Sequence, residues 1–126
     1  MGDVHYLNVD LEIDSRVDLT PIVEAFGDDA FVMYNGEWGK FFRASFEVVN
    51  GAGANEDIGY FCTLIEALDG EAKELWDNSF SKVFDLGFES GDTTQNCRTV
   101  LDPSVVARLG AIGATLAVTI YPVDPK

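Results

Sequence analysis

The chain has 126 residues, 47% of them hydrophobic, which is enough for a single domain (1–126) with a packed core and excludes a disordered or collagen-like chain. Its 22 acidic residues stand against 8 Lys+Arg, and a formal net charge of −14 argues against nucleic-acid or anionic-membrane binding and in favour of basic partners. No window approaches 18 consecutive apolar residues, and "MGDVHYLNVDLEID" lacks a basic segment ahead of an apolar one, so neither a membrane span nor a signal peptide is expected.

The first element is a strand. In "VHYLNVDLEID" the residues Leu7, Val9, Leu11 and Ile13 alternate with Asn8, Asp10, Glu12 and Asp14, which predicts a half-buried strand with an acidic wet face. "DLTPIVEAFG" predicts a short helix capped by Thr20, with Pro21 first, Ile22, Val23 and Phe26 inward, and Gly27 at its end. "AFVMYNGEWGKFFRASFEVV" predicts a hairpin turning at Asn35-Gly36, with Phe42, Ala44, Phe46 and Val48 on one side of its second arm.

After the "NGAGAN" loop, Ile58, Phe61, Ile65 and Leu68 fall at helical spacing, and the helix is expected to close at Gly70. "EAKELWDN" adds a helical turn. "SFSKVFDLGFES" predicts a strand with Phe84, Leu86 and Phe88 inward, Asp85 and Glu89 outward, and a bulge marked by Gly87. "CRTVL" reads as a short edge strand. "DPSVVARLG" reads as a helix with Asp102 as cap, Pro103 first and Val105, Val106 and Leu109 as its apolar stripe. "ATLAVTIYP" is the last strand, with Leu116, Val118 and Ile120 inward. The expected order is β-α-β-β-α-β-β-α-β: an α+β fold, with helices on one face of a mostly antiparallel sheet and ferredoxin-like elements at its start.

Few chemistries fit these residues. The one histidine, His5, finds no second histidine and no C-x-x-C, so no zinc site is expected. Without an export signal Cys62 and Cys97 read as reduced thiols in a cytoplasm, Cys62 as a buried hydrophobe; a Cys97–His5 dyad has no local support. "NGAGANE" lacks the Walker lysine, and Glu56 and Asp57 after it repel phosphate. Asp85 and Glu89 lie about 13 Å apart along a strand, too far for a glycosidase pair. With Asp92 they lack the spacing of a calcium loop, so a metal-assisted hydrolase on Asp85, Glu89 and Asp92 stands only as an alternative. No cofactor and no metal are expected.

"LWDNSFSKVFDLGFESGD" and "LDPSVVARLGAIGATLAVTIYP", together with "DLEIDSRVDLTPIVEAF", resemble a bacterial family of small uncharacterised α+β proteins, a domain of unknown function. The matching motifs are structural, so the resemblance carries over no catalytic residue. Some families of this kind include members encoded beside toxins as immunity proteins, and the resemblance implies such a role here. The expectation is a non-enzymatic, cytoplasmic protein-binding domain. Asp10, Glu12, Asp14, Asp85 and Glu89 would meet a basic partner, such as a toxin, and Tyr34 and Trp38, with Phe41 beside them, would serve as apolar anchors. The alternative binding mode is mimicry of nucleic acid by the acid rows.

Overall fold

The computed structural model describes residues 5–48, 51–91 and 98–122, with only the backbone described for His5. The expected positions Asp92 and Cys97 lie outside the described residues. Five strands form one sheet: β1 (His5–Ser15), β2 (Ala30–Trp38), β3 (Phe41–Val48), β4 (Ser81–Glu89) and β5 (Thr115–Tyr121). Four helices join them: α1 (Thr20–Phe26), α2 (Ala54–Glu66), α3 (Gly70–Asn78) and α4 (Pro103–Ala111), with a 3-10 turn over Gly27–Asp29. The spatial order is β2-β3-β1-β4-β5. All neighbours are antiparallel except β4 and β5, which run parallel. A parallel pair needs a crossover, and α4 supplies it.

The architecture is α+β with a mainly antiparallel sheet, as the alternation predicts, but the element order differs. Residues 98–102 form no strand, so the described part of "CRTVL" is not the expected edge strand. "EAKELWDN" is a helix of its own, because Gly70 opens it rather than closing the one before; Gly70 takes φ +53, which breaks the chain direction between α2 and α3.

The core lies between the sheet and the helices. Val9, Leu11 and Ile13 of β1, Ala44, Phe46 and Val48 of β3, and Phe84, Leu86 and Phe88 of β4 face Ile22, Phe26, Ile58, Phe61, Ile65 and Trp76 of the helices. Phe61 meets Phe84 edge-on at 5.8 Å, and Phe26 meets Phe46 at 5.0 Å. The Trp76 indole N–H donates to the Ile112 carbonyl at 3.0 Å, so the largest core side chain buries no unpaired donor. Asn55 fastens the approach to α4 in the same spirit: its amide donates to the Val100 carbonyl and its oxygen accepts the Asp102 N–H, each at 2.8 Å.

Several local expectations are corrected. The β1–β4 register shifts between the pairs Tyr6–Phe88 and Asn8–Gly87, so the irregularity falls at Gly87 as expected, but the extra residue, Leu7, is on β1. This shift turns Leu7 out to solvent and Tyr6 in against Phe88 at 5.9 Å. Gly87 also allows close approach there: a Cβ would meet Asn8 Oδ1 at 2.9 Å. The β2–β3 hairpin reverses at Gly39-Lys40, not at Asn35-Gly36, since Trp38 pairs with Phe41 and Gly39 takes φ +65 at the first turn position. Thr20 is the first helical residue rather than the cap: Leu19 is the N-cap with no side-chain cap bond, and Asp18 before it accepts the Thr20 N–H at 2.8 Å and its hydroxyl at 2.6 Å. Val106, Leu116, Val118 and Ile120 are exposed, contrary to the inward placement their spacing predicts. α4 packs on α2 and touches β5, and among the described residues nothing further covers the apolar side chains of β5 and Val106.

Candidate functional site: the acidic open face of the sheet

From Asn8 onward, period-two alternation sends the even residues of β1 away from the core, and the register fixes their neighbours. Glu47 of β3, Asp10 of β1 and Asp85 of β4 lie side by side across three strands. Directly opposed like charges on adjacent strands are destabilising, so this row is a place where the fold tolerates strain. Glu12 and Asp14 continue along β1, and Glu89 ends β4 opposite Tyr121. Six carboxylates and one guanidinium, Arg43, share this face among the described residues.

The carboxylates are not equivalent. Asp14 is buried and held by Arg43 through two bonds, Nε to Oδ1 at 2.8 Å and a terminal nitrogen to Oδ2 at 3.1 Å. Arg43 also lies 3.5 Å from Glu12. Asp85 accepts the Thr119 hydroxyl on both oxygens, at 2.8 and 2.9 Å. Glu47 accepts the Asn8 amide at 3.1 Å. Asp10 has no such help: its Oδ1 is buried with no hydrogen-bond partner among the described residues. Burial, and then the charges of Glu47, Asp85 and Glu12, push the Asp10 carboxyl up from 3.8 to about 6. Asp10 lines a small hollow of about 160 Å³ with Glu12, Met33, Ser45, Val83 and Asp85.

Aromatic side chains border this face on β2. Trp38 is exposed, stands edge-on to Tyr34 at 5.4 Å, and carries the Arg43 guanidinium 4.5 Å above its ring. The Tyr34 hydroxyl donates to the Glu37 carbonyl. Phe31 and Met33 are also exposed on this strand. Phe41, the third expected anchor, packs edge-on against Phe80 at 5.4 Å.

The expected residues Asp10, Glu12, Asp14, Asp85, Glu89, Tyr34 and Trp38 therefore share one face of the sheet. Arg43, Glu47, Asn8 and Thr119 complete the arrangement. Alternation along β3 already aligned Arg43 and Glu47, but only the strand order sets them beside Asp14 and Asp10.

Elsewhere, little chemistry is assembled. Among the described residues no three His, Cys, Asp or Glu side chains converge to hold a metal ion. A larger hollow of about 900 Å³ between α1 and α3, lined by Asp18, Glu71, Glu74 and Leu75 among others, offers carboxylates and no histidine or thiol. Cys62 is buried, and burial raises its thiol above the ordinary range, which suppresses the thiolate. No helix among the described residues is long and apolar enough to cross a membrane. No family model, no curated protein and no solved structure matches the chain.

Proposed function

We propose that this protein is a non-enzymatic binding domain whose open sheet face receives a basic protein partner. The observation that carries this reading is the Glu47–Asp10–Asp85 row, with the Asp10 oxygen that is buried and has no partner among the described residues at its centre. A lysine or arginine of the partner placed over Asp10 would relieve the repulsion and supply the missing hydrogen bond. Trp38 and Tyr34 flank the row and offer the flat apolar contact typical of interface anchors. Arg43 holds Asp14 and stacks on Trp38, so it organises the border rather than joining the docking row. A cytoplasmic immunity protein that caps a basic toxin is the concrete form of this proposal. The carboxylates form one short row flanked by a guanidinium, not two long lines, which favours a protein's basic patch over mimicry of nucleic acid. We further read the β2-β3-β1-β4 part as a ferredoxin-like arrangement carrying one added strand.

The test is capture from the lysate of the native host at low salt, with wild-type protein and an Asp10→Asn/Asp85→Asn double variant as baits. A basic protein retained by the wild type, lost by the variant and bound more slowly at high ionic strength is the expected result. An on-rate that does not respond to salt removes the electrostatic basis of the reading.

A further inference from the structure

The two edges of the sheet are built differently. The β2 edge carries a register shift between Val32 and Tyr34, a glycine at Gly36 and a charge at Glu37, all devices that discourage another strand from pairing. The β5 edge has none of them. Its sequence TLAVTIY holds no charge and no proline, and it pairs with β4 without interruption from Val83↔Thr115 to Glu89↔Tyr121. On its outer side no described strand follows, so alternate N–H and C=O groups have no strand partner among the described residues.

The side chains of β5 show the same incompleteness. Leu116, Val118 and Ile120 are 41%, 57% and 62% exposed, although their neighbours Phe84, Leu86 and Phe88 on β4 are buried. Val106 extends this apolar strip on α4. Arg108 of the same helix reaches Glu66 on α2 at 2.7 Å, so Val106, about 200° away around the helix, occupies the flank turned from α2.

We propose that β5 is the dimer edge of this protein and pairs antiparallel with β5 of a second copy about a two-fold axis at Val118. The strip is its own complement in that arrangement. Val118 meets Val118 of the partner subunit and Leu116 meets the partner's Ile120, while Ala117 meets the partner's Thr119 on the opposite face. A two-fold axis normal to the sheet keeps both helix layers on one side and joins the two sheets into one of ten strands. The uncharged strip gives a basic partner nothing to pair with and leaves a second copy free to approach. Two chains of net charge −14 repel over most of their surface, but β5 itself carries no acid. At about 4.8 Å per strand, the nearest acid rows, those of Asp85, stand three spacings or roughly 14 Å apart, and those of Asp10 roughly 24 Å apart. Both distances exceed the screening length of about 8 Å at physiological salt.

The experiment is sedimentation velocity of the full chain from about 1 to 200 µM, at 0.15 and 0.5 M salt. The expected result is a species of twice 13.8 kDa at the upper concentrations, favoured further by the higher salt. That salt response is opposite in sign to the one expected for a basic partner. Val118→Lys places two ammonium groups against each other on the axis and should raise the dimer dissociation constant at least 100-fold. Val17→Lys, at an exposed apolar position outside β5, should leave the mass unchanged. Amide exchange of the wild type is a second readout that needs no variant: protection over 115–121 should rise with concentration. A wild type that is monomeric throughout, a Val118→Lys dimer as tight as the wild type, or exchange over 115–121 independent of concentration would overturn the proposal.

Discussion

Replacing Asp10 by asparagine should make the protein more stable at neutral pH and no more stable in mild acid. The wild-type carboxyl ordinarily ionises at 3.8 but is held at about 6 in the folded state by burial and by Glu47, Asp85 and Glu12. The folded state therefore binds the proton more tightly than the unfolded chain does. Below about pH 4 both states are protonated and nothing is lost. Between pH 4 and 6 the unfolded state ionises first, and stability falls as pH rises. Above about pH 6 the whole penalty is present. At about 1.36 kcal/mol per pH unit the rise to about 6 sets a ceiling near 3 kcal/mol. The carboxyl is only half buried, and solvent screening reduces this to roughly 1–2 kcal/mol.

The asparagine keeps the shape and removes the charge, so it should add about 1–2 kcal/mol at pH 7, or roughly 3–8 °C in Tm for a domain of this size. Urea unfolding at pH 7 and pH 4 measures both ends of the window. Added salt should shrink the neutral-pH gain, because part of it is repulsion from the partly exposed carboxylates of Glu47, Asp85 and Glu12. Loss of stability at pH 7, or an equal gain at both pH values, would refute the account of a strained acid row. The same substitution should weaken capture of a basic partner. Greater stability with poorer binding is the signature of a functional site that tolerates local strain.

The remaining predictions concern groups that support this face and the core beneath it. Arg43→Ala should destabilise the fold by about 2–4 kcal/mol in urea unfolding, because it strands the buried Asp14 carboxylate; adding Asp14→Ala should recover part of the loss. Tyr6→Phe removes a 2.5 Å hydrogen bond to Asp57, a buried carboxylate whose other oxygen accepts the Ala52 N–H at 2.9 Å, and should lower stability by about 1–2 kcal/mol without changing the sheet's circular dichroism. Cys62 should resist alkylation in the folded protein at pH 8 and react only on unfolding, as read by peptide mass; fast labelling under native conditions would contradict its burial and raised pKa.

Alternation along β1, β3 and β4 contained most of the sheet. It assigned Val9, Leu11, Ile13, Phe46, Phe84 and Leu86 to the core and Asp10, Glu12, Asp85 and Glu89 to the other face, because a strand's side-chain period is set by local backbone geometry. The same local rule misplaced Leu7, since a register shift costs one residue of parity and is decided by the partner strand. It misplaced the hairpin turn because Gly39-Lys40 and Asn35-Gly36 are both competent reversals, and the pairing of Trp38 with Phe41 selects the first. It also misjudged Leu116, Val118 and Ile120: alternation gives the side of a strand but not whether a helix lies above it.

By itself, then, the amino-acid sequence determined most of the elements, the apolar side of each central strand and the presence of an acidic side, all consequences of interactions within a few residues. Tertiary structure alone decided that Glu47, Asp10 and Asp85 become neighbours, that Arg43 is committed to Asp14, and that β5 is the last described strand with its apolar side chains exposed. These are relations between residues distant along the chain, set by strand order and by where the helix layer stops, and no local periodicity encodes either.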